Sequence, residues 1–237
     1  MASASRALPI VAAALVVASG CVWLGVWQLS RWSEKSIARA ALQRSLAGAA
    51  LSLGDSLPPD RALQGRVVEL LGEFDGDWHV ILTGRLRNEV PGVRLLTPFR
   101  VGSREILVDR GWIPTEDAAS ADPGEYAEPG LRRLRGFADS APRHRALPLR
   151  RLERTDAMQV WQARQLDLDS IAAHRGTSMS RLLLTESADS LIPLPARDGP
   201  PLPDPGIHMS YAIQWFAFAA IVLTGSFFLA GLPRRAR

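Results

Sequence analysis

Polar and aromatic side chains gather at the start of an uncharged stretch near the end of the chain, residues 207–232. His208, Tyr211 and Trp215 follow one another there at i, i+3 and i+7, which would place them on one face of a helix. An imidazole near the end of a membrane helix is a candidate functional group, because ionisable side chains are costly in lipid and usually face protein or a cofactor. The alternative is that the aromatic rings are interfacial anchors and the histidine is hydrated. The spacing alone leaves both interpretations open.

A second group of polar and aromatic side chains closes another uncharged stretch, residues 7–30. Trp27, Arg31 and Lys35 repeat at i, i+4 and i+8, and Gln28 stands beside them. Taken by themselves, these residues are typical of an aromatic belt with cations that reach toward the membrane surface. The amphipathic pattern then continues and predicts a helical extension over residues 31–47.

Both uncharged stretches are longer than the roughly 20 residues that a helix needs to cross a bilayer. They predict one transmembrane helix over residues 7–30 and another over residues 207–232. For the first, a cleaved signal peptide would have a shorter apolar core and more than the single basic Arg6 ahead of it. The four residues ending at Cys21 are similar to a lipoprotein signal, but the apolar run continues beyond them. This continuation favours an uncleaved membrane helix.

Two membrane spans place both ends of the chain on one side of the membrane. The tail after the second span contains Arg234, Arg235 and Arg237. The segment after the first span contains Arg31, Lys35, Arg39 and Arg44. By the positive-inside rule the tail indicates cytoplasmic termini and the other segment indicates the opposite. We favour the tail, because a long domain between two spans can translocate largely regardless of its charge.

Residues 48–205 predict a soluble, extracytoplasmic, mostly-β domain of the α+β class between the two membrane helices. Two of its apolar runs, VRLLTPFRV and REILVDRGW, are separated by Gly102 and Ser103, which predicts a hairpin. The segment LDLDSIAAHR, opened by Asp167, predicts a short helix. Residues 115–130, TEDAASADPGEYAEPG, predict an exposed acidic loop.

Little in this domain carries chemistry, since no catalytic, phosphate-binding or metal-binding motif is recognisable. Its isolated histidines, more typical of surface or interfacial positions than of ligands, are His79, His144 and His174. The most suggestive point is the cluster from Asp109 to Trp112. Arg110 lies there beside a glycine turn and would either hold an anion or stack on Trp112.

Composition excludes several classes of function. The net charge is +4, but the cations are dispersed among acids with no Lys/Arg run longer than two residues, which argues against nucleic-acid binding. The single cysteine, Cys21, excludes an intramolecular disulfide, a CxxC redox or copper pair and a CxxCH haem attachment.

The order of these segments resembles the Surfeit locus protein one family of cytochrome c oxidase assembly factors, over nearly the whole chain. The resemblance rests on the first-helix exit GVWQLSRWSEK, on GEFD, LLTPFRVGSREILVDRGWIP and WQARQLDLDSIA in the domain, and on the last-helix entrance HMSYAIQWFAFA. The hairpin ending in RGWIP and the HxxYAxQW entrance are its most specific parts. The sequence departs from the family at Asp109 and Gly206, where the family often carries Asn.

The resemblance implies a non-enzymatic assembly factor of the bacterial inner membrane. Such a factor helps haem a to enter subunit I of a haem-copper oxidase, alongside other oxidase assembly factors. His208 matches the family histidine proposed as an axial ligand of the haem iron. In that picture Trp27, Tyr211 and Trp215 pack on the macrocycle, and Arg31, with Lys35, pairs with the propionates.

Two alternatives stay open at this point. In one, the protein is a cofactor-free scaffold that stabilises an oxidase assembly intermediate, and His208 is a residue of a helix interface. In the other, the protein is a membrane-anchored enzyme that uses the Arg110 region, which requires an acid, base or nucleophile in a cleft with Arg110.

Overall fold

The computed structural model describes residues 4–140, 149–155, 158–188 and 191–231. The chain divides into two compact units, one made of Met1–Gln43 with Leu202–Arg237 and the other of Arg44–Pro201. Two apolar helices at the ends of the chain therefore flank a mostly-sheet domain, and the predicted fold class is confirmed. The basic tail that predicted the topology, and His144, lie outside the described residues.

The helices of the described chain are α1 (Ala4–Ala47), α2 (Asp60–Leu63), α3 (Leu168–Arg175) and α4 (Gly206–Gly231), with a 3-10 turn at Pro123–Tyr126. α1 and α4 are long and apolar enough to cross a membrane. Only 22% of the most apolar stretch of α1 and 17% of that of α4 is buried within the chain, unlike the core helix of a soluble protein. These two helices indicate a membrane protein.

Small side chains let α1 and α4 pack closely. The buried cluster between them consists of Ala18, Cys21 and Ala219, with Trp215 and Val222 packed against it. A Cβ atom at Gly25 would lie 2.8 Å from the ring of Phe216, so a larger residue would displace that ring. Close approach at small residues is how helices associate in lipid, where burial of apolar surface gives no driving force.

The strands of the central domain are β1 (Leu51–Gly54), β2 (Arg66–Phe74), β3 (Trp78–Arg87), β4 (Val90–Val101), β5 (Arg104–Pro114), β6 (Arg132–Ser140), β7 (Arg150–Thr155), β8 (Met158–Ala163) and β9 (Met179–Glu186). They form one sheet of nine strands in the order β1-β2-β6-β9-β5-β4-β3-β8-β7. β2 also pairs with β4, through Glu73 with Arg100 and Phe74 with Phe99. This extra pairing closes β2, β6, β9, β5 and β4 into a barrel, and β3, β8 and β7 continue the sheet outside it.

The barrel is filled by apolar side chains from strands far apart in sequence, including Val68, Leu70, Phe99, Ile106, Leu134 and Leu184. Each of these is at most 1% exposed. At the closure, β2 and β4 approach so closely that a Cβ atom at Gly72 would collide with the backbone carbonyl of Arg100. Gly72 is therefore required by the geometry of barrel closure.

Two local predictions are confirmed and one is revised. β4 and β5 form the predicted hairpin, with Gly102 at φ +55° in its turn. α3 begins after Asp167, whose carboxylate accepts a hydrogen bond of 3.1 Å from the Asp169 N–H. The predicted exposed acidic loop, residues 115–130, instead contains the 3-10 turn, and Pro123 within it is buried. The Tyr126 carbonyl and the Glu128 carboxylate of this segment accept hydrogen bonds from the buried Arg110. The polar composition of the segment does not predict these contacts.

Candidate functional site

His208 and Gln28 form a hydrogen bond between the two membrane helices. The distance from His208 Nδ1 to Gln28 Oε1 is 2.8 Å. Because a carbonyl oxygen only accepts, Nδ1 donates the proton of this hydrogen bond. Nε2 is buried and has no hydrogen-bond partner among the described residues. An imidazole whose one nitrogen is held and whose other nitrogen has no protein partner is a candidate metal ligand.

The two helices position this pair through their packing faces. On α1, Gln28 continues the buried line of Cys21 and Gly25, and on α4, His208 stands one turn before the buried Ala212. The start of α4 is held by Asp204, whose carboxylate accepts from the Gly206 N–H at 2.9 Å. In the sequence, Gln28 follows the small residues Cys21 and Gly25 at helical spacings of seven and three, and this spacing was the signal that could have assigned it to the packing face.

The three residues predicted to share one face of α4, His208, Tyr211 and Trp215, lie on two faces of the helix. Trp215 packs against the buried cluster between the helices and contacts Phe218 edge to face, with 5.9 Å between the ring centroids. Tyr211 is 44% exposed. An i+3 step turns the side chain by about 60° from the line of His208, whereas an i+7 step returns close to that line. His208 and Trp215 therefore face α1, while Tyr211 points outward.

The residues predicted to share one face of α1, Trp27, Arg31 and Lys35, lie on the exposed side of the helix. Trp27 is 43% exposed, and the Arg31 guanidinium lies 5.8 Å from the centroid of its ring. Arg31 also pairs with Glu34 at 2.8 Å, an exposed ion pair that the sequence analysis did not include. Lys35 is exposed one turn further on. These residues offer an aromatic face and cations at the surface of the helix.

Arg110 is the second place where the structure concentrates chemistry. Its side chain is 1% exposed and lies over Phe74, with 4.6 Å from the guanidinium carbon to the ring centroid. The predicted stacking on Trp112 is wrong, because Arg87 occupies that ring at 5.7 Å. β5 is irregular at Arg110, because Leu95 pairs with Gly111 and Leu96 with Asp109. This irregularity and the pairing of β2 with β4 decide which ring Arg110 meets, and neither is visible in the local sequence.

Asp109 and Gly111 complete this strand end. Asp109 accepts a hydrogen bond of 2.7 Å from Arg94 and one of 3.1 Å from the Gly111 N–H. Burial raises the pKa of Asp109 above its usual value, against the opposing effect of Arg94. Gly111 has φ +125°, and a Cβ atom there would collide with the carbonyl of Ala196. This turn is built by packing and ion pairing within the domain.

The described histidines of the domain are engaged in structural contacts. His79, expected at a surface or interfacial position, is instead 3% exposed within the domain. Its Nε2 lies 2.9 Å from the Gly76 carbonyl and its Nδ1 lies 3.0 Å from the Thr97 hydroxyl, and burial lowers its pKa. His174 contacts the ring of Trp161. Within the described ranges, no group of three or more His, Cys, Asp or Glu side chains is arranged to hold a metal ion.

Residues 15–220 match the model of the SURF1 family. The chain belongs to the SURF1 family. The SURF1-like protein of Rickettsia bellii (strain RML369-C) is 29% identical over 212 residues, which cover 84% of this chain and 81% of the relative. The SURF1-like protein of Rickettsia conorii (strain ATCC VR-613 / Malish 7) is 37% identical over 95 residues, 38% of this chain and 37% of the relative.

The SURF1 family is known as a family of oxidase assembly factors and is not a catalytic family. The family predicted from the motifs is thereby confirmed. In this SURF1 chain the first-helix exit GVWQLSRWSEK supplies Gln28, and the entrance HMSYAIQWFAFA supplies His208. The two most distant segments of the resemblance therefore meet in one hydrogen bond.

Proposed function

We propose that this SURF1 protein helps to assemble haem-copper oxidase by assisting haem a to bind and to enter subunit I, and that His208 would hold the haem through its iron. Its partners are then oxidase subunit I, other oxidase assembly factors and the membrane lipid. The observation that carries this proposal is the buried, unpartnered Nε2 of an imidazole whose other nitrogen is held by Gln28. Haem-ligating histidines bind iron through one ring nitrogen while the other donates to a fixed acceptor.

The residues present fit a haem in their chemistry. The His208 imidazole would supply the ligand nitrogen, and Gln28 holds the ring orientation. Trp215, on the face of α4 that carries His208, would pack on the macrocycle. Trp27 and Tyr211, which are exposed, would pack on it from the outer surfaces of the two helices, and Arg31 would pair with a propionate. The haem, when bound, supplies the iron that takes the Nε2 lone pair. The protein's part is to hold this group until subunit I receives it.

The proposal includes an orientation in the membrane. Both termini lie in the cytoplasm and the β domain lies on the periplasmic side of the bacterial inner membrane. In that orientation the end of the first span and the start of the second, which carry Gln28 and His208, lie at the periplasmic rim of the bilayer. Aromatic residues are favoured at such a rim.

The decisive experiment measures haem in detergent-purified protein from cells that make haem a. We expect His208→Ala to abolish the haem absorbance and Gln28→Leu to weaken haem binding about tenfold, since outer-shell partners of metal ligands have effects of that size. His174→Ala is the matched control, because it removes an imidazole from α3 of the β domain and leaves the two membrane helices, α1 and α4, unchanged. Circular dichroism of each variant reports whether the fold is retained.

Haem content that is unchanged in a folded His208→Ala protein would remove the ligand assignment. The cofactor-free scaffold is supported by one observation, namely that the His208–Gln28 hydrogen bond already joins the two helices without a ligand. If wild-type protein purified from cells that make haem a carries no haem, yet still supports oxidase assembly, the scaffold would be favoured.

A further inference from the structure

A cavity of about 160 Å³ lies in the β domain where β2, β3 and β5 meet residues 123–130. Its walls are largely apolar and include Phe74, Pro123, Ala127, Pro129 and Met158. Gly124, Ala127, Pro129 and Gly130 are exposed, so the cavity opens to solvent along this segment. The cavity belongs to neither of the membrane helices, and the proposed haem role does not use it.

The guanidinium of Arg110 lines this cavity. It is held against the ring of Phe74, and its Nη2 donates to the Tyr126 carbonyl at 2.5 Å and to Glu128 at 2.8 Å. Its Nε is buried and has no acceptor among the described residues. A buried donor without an acceptor is costly, and a charged one more so. The side chain is thus rigidly placed with hydrogen-bonding capacity left over.

The guanidinium of Arg110 lies in a network of buried and half-buried charges. In the described chain three guanidiniums, Arg110, Arg132 and Arg197, face two carboxylates, Glu128 and Glu186. Burial lowers the pKa of Arg110 to about 10, so it stays protonated at neutral pH. Burial raises the pKa of Glu186 above its usual value, against the opposing effect of Arg197 and Arg110. His79 lines the cavity as well, and burial lowers its pKa, so its ring is neutral at neutral pH.

Size and charge together define the occupant. A cavity of roughly 150 Å³ takes a body of about the size of benzene. A planar guanidinium matches a carboxylate in geometry and in the sign of its charge. A phosphate would bring more charge and demand more donors than this largely apolar wall offers.

We propose that this cavity binds a carboxylate group carried on a small apolar body, with Arg110 as its anchor. A free carboxylic acid and the C-terminal residue of a polypeptide share this chemistry. Either would place its carboxylate on Arg110 and its apolar part against Phe74 and Met158. The site would give this assembly factor a second ligand that is independent of haem.

The test uses the full chain in detergent and isothermal titration with N-acetyl-L-leucine. Its neutral counterpart, N-acetyl-L-leucinamide, has the same body without the charge. We expect saturable binding of the acid with one site per chain and a dissociation constant in the millimolar range. The amide should bind at least about tenfold more weakly, since it forms no charge-assisted hydrogen bond.

Two variants separate binding from folding. Ala127→Phe adds a ring to a residue that lines the cavity and should abolish binding, while Ala173→Phe, on the exposed side of α3, should bind as the wild type does. Arg110→Lys keeps the charge but loses the planar fork and should weaken binding at least about tenfold. The tripeptide acid N-acetyl-Ala-Ala-Leu distinguishes the sources, because tighter binding than N-acetyl-leucine indicates a polypeptide terminus and equal or weaker binding indicates a free acid.

Three results would overturn the proposal. They are the absence of saturable acid binding, equal affinity for acid and amide, and wild-type affinity in a folded Ala127→Phe protein. Haem content of the same preparations is measured alongside and should not change in Ala127→Phe, so failure of this site is distinguishable from failure of the proposed haem role.

Discussion

Arg175 shows how a single residue joins elements that are distant in sequence. Its guanidinium donates to both carboxylate oxygens of Glu105, at 3.0 and 2.9 Å, and also contacts the carboxylate of Asp75. It lies over the ring of Trp78 at 5.6 Å. The side chains of Arg175, Asp75 and Glu105 are 13%, 13% and 8% exposed, so the ion pairs are largely shielded from water.

Burial by itself would raise the pKa of both carboxyl groups. Hydrogen bonds and the charge of Arg175 outweigh it, with help from the Asp77 N–H at Asp75 and from Thr177 at Glu105, so both pKa values fall below their usual 3.8 and 4.5. A carboxyl group with a lowered folded pKa stabilises the fold above its unfolded pKa. That contribution is lost as the pH falls through the lowered value.

We expect Arg175→Gln to lower the free energy of unfolding by about 2–4 kcal/mol at pH 7, because two largely buried carboxylates lose their partner. The difference from wild type should shrink below about pH 4, as the carboxyl groups become protonated. Urea unfolding of the full chain in detergent, followed by circular dichroism at several pH values, measures both effects.

Arg181→Gln is the matched control for this prediction. Arg181 pairs with Asp169, and the two side chains are 74% and 67% exposed. Its loss should change stability by less than about 0.5 kcal/mol. A difference between Arg175→Gln and wild type that is independent of pH would show that lost packing on Trp78, and not charge, explains the effect.

At the scale of elements, the barrel depends on where β2 and β4 cross. β2 pairs with β6 over most of its length and turns to β4 at its last residues. Gly72 stands at that turn, facing the Arg100 carbonyl and, at 2.8 Å from its ideal Cβ, the ring of Phe99. Without close approach there, the five strands would remain an open sheet.

Gly72→Ala should therefore destabilise the β domain by about 2–3 kcal/mol, because the new methyl group forces the two strands apart. Gly76→Ala is the control, because Gly76 lies in the turn between β2 and β3 and a Cβ atom there meets nothing within 4 Å. Its stability should stay within about 1 kcal/mol of wild type. Thermal unfolding of both proteins measures the contrast, and equal melting temperatures would show that the barrel accommodates the methyl group.

The helix pair follows a comparable rule at the scale of elements. The buried positions of α1, which are 14, 18, 21 and 25, alternate in steps of four and three residues. On α4 the positions shielded by packing are 208, 212, 215, 219 and 222, again in steps of four and three. This is the repeat of two helices packed side by side, and it carries both Gln28 and His208 into the interface.

At the scale of the whole molecule, the proposed function requires the β domain and the helix rim on the periplasmic side. We expect a cysteine at the exposed position Glu116→Cys to react with a membrane-impermeant maleimide in intact spheroplasts. A cysteine at Ser5→Cys should react only after the membrane is opened. The native Cys21 is buried and should remain unlabelled in both preparations.

The reverse labelling pattern would place the β domain in the cytoplasm. The candidate haem ligand would then lie at the cytoplasmic rim, and the proposed route of haem to subunit I would have to be abandoned. The carboxylate site would be unaffected, because it depends only on groups within the β domain.

Local chemistry was readable in the sequence alone. Uncharged length predicted two membrane helices, Gly102 and Ser103 predicted the β4–β5 hairpin, and Asp167 predicted the start of α3. The motifs also identified the family, over residues 15–220. These features depend on neighbours along the chain, such as the transfer of apolar runs out of water and the dihedral preferences of turns and caps.

Pairings between distant residues were decided by the tertiary structure. Gln28 and His208 are 180 positions apart, and their hydrogen bond selects which imidazole nitrogen is free. Helical spacing grouped Tyr211 with His208, but the packing face of α4 turns Tyr211 outward. Arg110 was visible as a candidate, yet its ring partner Phe74 and its carboxylate Glu128 arrive from other strands and loops. Such contacts depend on how strands close and helices cross, which periodicity along one segment does not contain.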